Sequence, residues 1–245
     1  MLKNLRQGMH YLQQGFFLIG HPEIKIFVIA PCIISIASFG FLGWLTFSYV
    51  SEISEWINRF LPAWLGIVSW FIKAFAWLIF IFFAGYTFTT LTLLVASPFN
   101  SLLAEKTEKI ITGGEISYRE SRIEILTSLP RSLFREFSKM LYYITLVLLA
   151  IFFSLIPILN SAAPIIWFLI SAWMMSIQFL DYPMDNHNHS MPVVRKFAAS
   201  KISLSLGFGS VVTMLSSIPI VNLLVIPSAV IGATILWCEN SSEFN

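Results

Sequence analysis

The sequence contains few charged residues. Only 11% of its 245 residues are Asp, Glu, Lys or Arg, whereas 57% are hydrophobic and 16% are aromatic. A soluble domain usually carries about 25% charged residues, because its surface must face water. The surface of this chain therefore has to face lipid over most of its area, and the composition predicts an integral membrane protein.

Cysteine and catalytic motifs are scarce as well. The two cysteines, Cys32 and Cys238, stand in apolar surroundings and offer neither a metal-ligand spacing nor a disulfide framework. The sequence has no Ser-centred nucleophile elbow, no phosphate loop and no Cys/His pairing of a hydrolase. We therefore expect no catalytic residues, no cofactor and no metal. The net charge of +2 gives no indication of nucleic-acid binding.

Four long runs contain no Asp, Glu, Lys, Arg or His, namely 26–51, 74–104, 140–180 and 202–238. An intramembrane enzyme or a proton-coupled carrier usually needs ionisable groups inside its spans, so their absence argues against both. About 20 apolar residues are enough to cross a bilayer. We predict an all-α protein in which 23–51 and 66–97 are full transmembrane helices, the first kinked at Pro31.

The last two runs are interrupted by similar segments. Ile156-Pro157-Ile158-Leu159-Asn160 is echoed by Ile218-Pro219-Ile220-Val221-Asn222, and a second proline follows each, at Pro164 and Pro227. The arm after Pro227, residues 228–238, would rise about 16 Å against a hydrocarbon core of about 30 Å.

Broken backbone at membrane depth needs protein or water to satisfy its polar groups. We therefore predict two re-entrant or partly penetrating helical hairpins, 140–180 and 201–238. Their tips, near Asn160 and Asn222, would end inside the membrane against protein or water. The alternative is an ordinary pair of spanning helices with a tight turn at the far surface.

Amphipathic helices are predicted outside the runs. In 1–20 the apolar residues Leu2, Leu5, Met9, Leu12 and Phe16 recur three and four apart, which indicates a helix lying in the membrane interface.

Segment 98–139 concentrates charge, since the window 105–139 holds seven basic and six acidic residues. Its first helix would have Phe99, Leu102, Leu103 and Ile110 on the apolar face and would end at Gly113-Gly114. Glu105 and Lys109 are spaced as an i,i+4 ion pair. Glu105, Lys106, Glu108 and Lys109 are predicted to form a polar network, and the alternative is a solvated helix face. A second helix, N-capped by Ser128, would continue into the third run.

Segment 181–200 is predicted to be a polar connector. Its stretch "DYPMDNHNH" brings together Asp181, Asp185, His187 and His189, residue types that ligate divalent metals. The spacing does not require convergence, so a connector with Asp or Asn capping a turn is the favoured interpretation.

The basic residues predict an orientation. With two spans and two hairpins, both ends of the chain lie on one side, which carries all the Lys and Arg residues except Arg59 and Lys73. The positive-inside rule makes that side cytoplasmic.

The stretch "GHPEIKIFVIAP" (20–31) predicts an anion site. Pro22 suits a first helical turn, which would leave the backbone N–H groups of Glu23, Ile24 and Lys25 unpaired at the positive end of the helix dipole. Lys25 adds a full charge, whereas the Glu23 carboxylate competes for the same donors. Every helix has such an end, so an ordinary helix start is the alternative.

The sequence resembles the CysZ-type sulfate permeases of bacterial inner membranes over nearly its whole length. The resemblance lies in "HPEIKIFVIAP" (21–31), "SPFNSLLAEKTEKIITG" (97–113), "IPILNSAAPIIWFLISAWMMSIQFLDYPMDNH" (156–187) and "IPIVNLLVIPSAVIGATILW" (218–237). It implies sulfate uptake for cysteine biosynthesis, two long spans, partly penetrating hairpins and dimer-based homo-oligomers in the lipid bilayer. It also implies antiparallel subunits, whereas the basic bias favours one orientation.

The resemblance further implies a sulfate site in a Gly-Leu-Arg-Arg-type stretch, matched here by Glu23, Ile24, Lys25 and Ile26. Lys25 replaces one arginine and Ile26 the other, so weaker binding is expected. The sequence thus favours a channel-like sulfate permease of the inner membrane without its own ATPase. The alternative is a scaffold or regulator of another anion transporter, and a metal enzyme using 181–189 is a third hypothesis.

Overall fold

Every regular element in the described part of the chain is a helix. The computed structural model describes residues 2–60, 70, 71, 74, 75, 77, 78, 99–113 and 122–243. The chain forms two compact units, one of Met1–Ile29 with Ser97–Asn245 and one of Ala30–Ala96. The helices are α1 (Leu2–Leu18), α2 (Pro22–Phe60), α3 (99–112), α4 (Arg122–Leu155), α5 (Pro157–Asn160), α6 (Ala163–Asn186), α7 (Met191–Ser200), α8 (Ile202–Ser216) and α9 (Pro219–Asn240), followed by a 3-10 turn at Ser241–Glu243.

Three helical stretches among the described residues are long and apolar enough to cross a membrane. They are Phe134–Leu155, Ala163–Asn186 and Val221–Asn240, of 22, 24 and 20 residues. At 1.5 Å per residue each rises about 30 Å or more, the thickness of the hydrocarbon core. The pair α7 and α8 counts as a fourth if it forms a single span bent by 102°. The expected all-α integral membrane protein is confirmed.

The prolines of the two echoed segments mostly begin helices. Pro157 and Pro219 are the first residues of α5 and α9, and Pro164 lies in the first turn of α6. Proline suits this position, because its missing N–H would be unpaired there and its fixed φ is already helical.

Pro227 behaves differently, since it lies inside α9. Its ring leaves one carbonyl of the preceding turn without the usual donor, and next to that carbonyl the Ser228 hydroxyl donates to the Leu224 carbonyl at 2.7 Å. Serine side chains of this kind help transmembrane helices to tolerate proline. The prediction that the last arm is only 228–238 is therefore wrong, because α9 has 22 residues.

The other hairpin arms also have unexpected lengths. α4 begins at Arg122 rather than after an N-cap at Ser128, and it continues without a break to Leu155. The short arm of the second hairpin is α8, whose 15 residues rise about 22 Å. The re-entrant course of the two hairpins stays a prediction.

The two predicted full spans have different outcomes. α2 stays helical through Pro31 and has 39 residues, about 58 Å, which is longer than the predicted 23–51. The predicted span 66–97 lies almost wholly outside the described residues. In the unit Ala30–Ala96, large side chains of α2 are exposed, as suits contact with lipid; they are Ile33, Phe41, Trp44, Tyr49 and Trp56.

The core of the first unit depends on close helix approach. α1 packs against α8 and α9, and a Cβ placed on Gly207 would overlap the carbonyl oxygen of Leu5. Such small residues allow helix backbones to approach closely within a membrane. The inward face of α1 carries Tyr11 and Leu12, which are almost fully buried, whereas Met9 on the predicted apolar face is exposed.

Candidate functional site

The predicted anion site lies at the start of α2, where His21 occupies the backbone donors. The Glu23 N–H donates to Nδ1 of His21 at 3.4 Å. The N–H groups of Ile24 and Lys25 both donate to the His21 carbonyl oxygen, at 3.0 and 3.1 Å. The expectation that these three donors are unpaired is therefore wrong, because the residue before Pro22 caps the helix.

The side chains of this turn divide into two groups. Ile24 is fully buried in the core of the first unit, and it holds the turn in place. Glu23, Lys25 and Ile26 are exposed, Ile26 to 66%. The exposed Lys25 ammonium is the accessible positive charge of this stretch, and the Glu23 carboxylate stands two residues before it.

Helix α3 presents a different face to the core from the predicted one. Leu103, Ala104 and Thr107 are completely buried, and Glu108 is 6% exposed. The predicted apolar residue Ile110 is only partly buried. The face that packs follows positions 100, 103, 104, 107 and 108, an i, i+3, i+4 pattern that includes polar residues.

The predicted polar network of α3 is consequently split in two. The expected ion pair between Lys109 Nζ and Glu105 Oε1 is present at 2.9 Å on the outer side, and Lys106 is half-exposed. Glu108 instead points inward, and its Oε1 lies 2.8 Å from Nε2 of His187. His187 belongs to the "DYPMDNH" stretch, so α3 and this stretch share one polar site.

Most of the "DYPMDNH" stretch forms the C-terminal end of α6 and is not a connector. Asp181, Tyr182, Pro183 and Met184 are buried, and α6 continues through Pro183 to Asn186. The Asn186 amide donates to the Ser101 carbonyl oxygen of α3 at 2.9 Å. The prediction that 181–200 is a polar connector is therefore wrong, since 181–186 completes α6 and 191–200 is α7.

A buried ionic cluster joins α4 to this end of α6. Arg135 donates from Nε to Asp181 Oδ1 at 2.7 Å, and its NH2 group contacts the same oxygen. The Lys139 Nζ lies 3.0 Å from Asp181 Oδ2 and 2.5 Å from Oε1 of Glu136. The side chains of Lys139 and Asp181 are only 1% and 4% exposed.

Arg135 makes two further contacts on its other edge. Its NH1 group lies 2.8 Å from Asp185 Oδ1 and donates to the His189 carbonyl oxygen at 2.7 Å. The guanidinium therefore holds the end of α6 and the chain leading to α7 at one place, in the fork geometry for which arginine is suited. Lys139 completes the cluster over the Tyr182 ring, 5.5 Å from its centroid.

The carboxylates of this cluster leave no net positive charge to attract a further anion. Two cations, Arg135 and Lys139, face three carboxylates, those of Glu136, Asp181 and Asp185. An added dianion would have to displace carboxylates from both cations. The cluster therefore fixes helix positions, because both of its cations are already paired with carboxylates.

Aromatic rings complete the site next to Glu108. The rings of His187 and His189 each lie against Trp237, with centroids 5.9 and 5.3 Å away, and Phe197 packs on the same indole at 5.0 Å. Burial lowers the pKa of His189, and the neighbouring His187 and Arg135 lower it further. α9 is thereby attached to the α3–α6 site through one buried tryptophan.

The metal hypothesis for Asp181, Asp185, His187 and His189 finds no supporting geometry. The two carboxylates contact Arg135, and His187 contacts Glu108. Over the residues that the structure describes, no group of three or more His, Cys, Asp and Glu is placed to hold a metal ion.

The two predicted hairpin tips lie at helix ends. Asn160 is the last residue of α5 and is exposed, whereas Asn222 is half-buried in the first turn of α9. The backbone N–H of each asparagine donates at 2.9 Å to the carbonyl oxygen four residues earlier, that of Ile156 or Ile218. The echo in the sequence is thus also an echo in backbone structure.

Comparison with known proteins gives the family. The family model described as "Sulfate transporter CysZ/Etoposide-induced protein 2.4" matches residues 11–227. A relative from Pectobacterium atrosepticum named "Sulfate transporter CysZ" is 36% identical over 237 residues, which cover 96% of this chain and 85% of the relative.

A relative of the same name from Vibrio cholerae serotype O1 is 39% identical over 234 residues, which cover 95% of this chain and 93% of the relative. The extent of these matches shows that this chain belongs to the sulfate transporter CysZ/etoposide-induced protein 2.4 family.

Proposed function

We propose that this chain is a sulfate permease of the bacterial inner membrane that supplies sulfate for cysteine biosynthesis. The observation that carries the proposal is the identity of 36–39%, over 95–96% of the chain, with relatives named as sulfate transporters. The apolar helices long enough to cross a bilayer fit a transport role. We accordingly propose transport rather than catalysis, with no cofactor.

The start of α2 is where we place the first contact with sulfate. The Lys25 ammonium is exposed, and the Glu23 N–H makes only a long bond, 3.4 Å, to the His21 ring. Rotation of that ring would expose the N–H at the positive end of the helix dipole. The matching positions Ile24 and Ile26 contribute burial and an apolar rim, so Lys25 supplies most of the attraction.

Passive, channel-like conduction is the mode that the apolar runs favour. The ranges 140–180 and 202–238 contain no Asp, Glu, Lys, Arg or His, the residues that usually carry a coupled proton. The buried acid nearest to them, Asp181, is hydrogen-bonded to Arg135 and contacts Lys139. We place the route along the hairpin tips at Asn160 and Asn222 and along the outer charged face of α3, which carries Glu105, Lys106 and Lys109.

Dimer-based homo-oligomers and a cytoplasmic position for the basic side belong to the same proposal. Their support is the distribution of Lys and Arg together with the large apolar side chains that α4 exposes, including Phe137, Leu141 and Phe152. The second candidate function, a scaffold or regulator of another anion transporter, fits the same surfaces. Reconstitution of the chain alone separates the two, because a scaffold would give no flux.

Binding at Lys25 is tested by calorimetry. We expect Lys25→Ala to weaken sulfate binding by about tenfold, because it removes a full charge next to the helix start. Lys3→Ala is the matched control, since it deletes another exposed lysine, on α1, outside the proposed site. Equal sulfate affinity of Lys25→Ala and the unmodified chain would remove this turn from the proposed function.

A further inference from the structure

Helix α7 and the sharp bend between α7 and α8 have no role in the proposed transport. α7 runs from Met191 to Ser200, and the chain bends by 102° at Lys201 before the apolar helix α8 begins. α8 contains no charged residue. If α8 follows the bilayer normal, α7 lies almost in the plane of the membrane surface.

The two faces of α7 differ in chemistry. Its inner face is buried against α6 and neighbouring helices and consists of Met191, Val194, Phe197 and Ala198. The opposite face carries the exposed Lys196, and Arg195 lies at its edge. The apolar face is therefore used for packing within the protein, and the basic outer face remains for contact with lipid headgroups at the membrane surface.

Arg195 lies next to aromatic residues that suit the same level. Its guanidinium carbon is 4.7 Å from the centroid of the Tyr142 ring, and the Tyr142 hydroxyl accepts a hydrogen bond from the Trp173 indole at 2.9 Å. Tyrosine and tryptophan concentrate at the boundary between hydrocarbon and water, where their polar atoms reach the headgroups. Arg195 therefore extends from the protein where phosphate groups of lipids are expected.

The positive charge of this surface is not neutralised by the ionic cluster. Among the residues that the structure describes, no carboxylate forms an ion pair with Arg195 or Lys196, and Asp181 and Asp185 are occupied by Arg135. The sequence from 190 to 238 contains no Asp or Glu at all. An anionic partner would be attracted here without displacing any internal carboxylate.

We propose that the outer face of α7 binds the headgroup of an anionic phospholipid, with its phosphate between Arg195 and Lys196. The bilayer is the partner because the apolar α8 and the Tyr142–Trp173 pair adjoin the basic face and suit acyl chains. The attraction is greatest on a leaflet rich in anionic lipid, which agrees with the cytoplasmic side predicted from the basic residues. The proposal does not depend on sulfate transport.

Lipid titration of the purified full chain tests this. The chain in nonionic detergent is titrated with phosphatidylglycerol, and bound lipid is counted by native mass spectrometry. Each basic side chain near an anionic surface is worth about fivefold in affinity. We expect Lys196→Gln to lose about fivefold and the double variant Arg195→Gln/Lys196→Gln about 25-fold, while phosphatidylcholine binds weakly to all forms.

The control is Arg59→Gln, which removes one exposed basic charge, as Lys196→Gln does, but on the side predicted to carry few basic residues. We expect it to change phosphatidylglycerol binding by less than twofold, and circular dichroism checks that each variant folds. Lys196→Gln keeps the test valid if the loss of Arg195 disturbs packing on Tyr142. Equal affinity of Lys196→Gln and the unmodified chain, equal losses in the control, or full competition by inorganic phosphate would each overturn the proposal.

Discussion

Replacing Asp181 by Asn removes the carboxylate at the centre of the buried ionic cluster. Asp181 accepts from Arg135 through Oδ1 at 2.7 Å and contacts Lys139 through Oδ2 at 3.0 Å. The asparagine amide keeps one acceptor oxygen but turns its NH2 group toward one of the cations. The variant therefore leaves two buried positive charges with less compensation than in the native protein.

The magnitude follows from what remains around the two cations. Breaking a buried ion pair by removing one partner typically costs about 3–5 kcal/mol, because a charge is left buried. Arg135 keeps Asp185 and the His189 carbonyl, and Lys139 keeps Glu136, so we expect the lower end of that range. A loss of about 3 kcal/mol lowers the folding equilibrium constant by roughly a hundredfold.

Unfolding in mixed micelles, with rising sodium dodecyl sulfate and helicity followed by circular dichroism, measures this loss. Glu52→Gln is the control, since Glu52 is exposed and the charge change is the same. A free energy of unfolding for Asp181→Asn within about 0.5 kcal/mol of the control value would refute the idea that the cluster fixes α4 to α6.

Two further predictions concern the packing of α1. Gly207→Ala should destabilise the protein by about 3 kcal/mol or more in the same assay, because the new Cβ would overlap the Leu5 carbonyl oxygen. Gly20→Ala is the control and should be nearly neutral, because its Cβ would have its nearest neighbour at 3.8 Å. Tyr11→Phe should cost about 1 kcal/mol at neutral pH, because the hydroxyl donates to Glu239 at 2.7 Å. Burial and that bond raise the pKa of Tyr11 above 10.0. The contribution of the hydroxyl to the free energy of unfolding is therefore complete below pH 10 and is lost as the pH rises through the folded pKa. If the difference in unfolding midpoint between Tyr11→Phe and the native chain stayed constant across a pH series, this would be contradicted.

The helical architecture could be predicted because lipid imposes simple requirements. A long uncharged run must be helical at bilayer depth, since no water is present to satisfy its backbone. The helix breaks at Pro157 and Pro219 could also be predicted, because proline is favoured at the start of a helix and disfavoured in its interior. Pro227 shows the limit, since a helix bound by tertiary packing continues through a proline when a neighbouring hydroxyl is present.

The ionic cluster could not be predicted from spacing. Arg135 and Asp181 are 46 residues apart, and only the antiparallel course of α4 and α6 brings them together. The contact between Glu108 and His187 could not be predicted from spacing either, because these residues are 79 positions apart in the sequence. One signal did exist: charged residues that directly flank apolar runs, as Lys139 and Asp181 do, must find partners when the helix ends are buried.

The predicted sulfate site illustrates a further limit. The preference of proline for a first helical turn correctly indicated the start of α2 at Pro22, but it could not show that His21 accepts the three N–H groups. A local side chain that can cap a helix competes with any ligand for the same donors. The sequence also could not show which side of α2 faces the core. Because Ile24 is buried in the core, the neighbouring Lys25 lies on the exposed side.

Sulfate flux through the purified chain as the only protein in liposomes tests the central claim most directly. We predict that labelled sulfate enters proteoliposomes faster than protein-free liposomes, that the rate follows the sulfate gradient, and that an imposed pH gradient leaves the initial rate unchanged. A folded, reconstituted chain whose sulfate entry equals that of protein-free liposomes would contradict the permease and favour the scaffold.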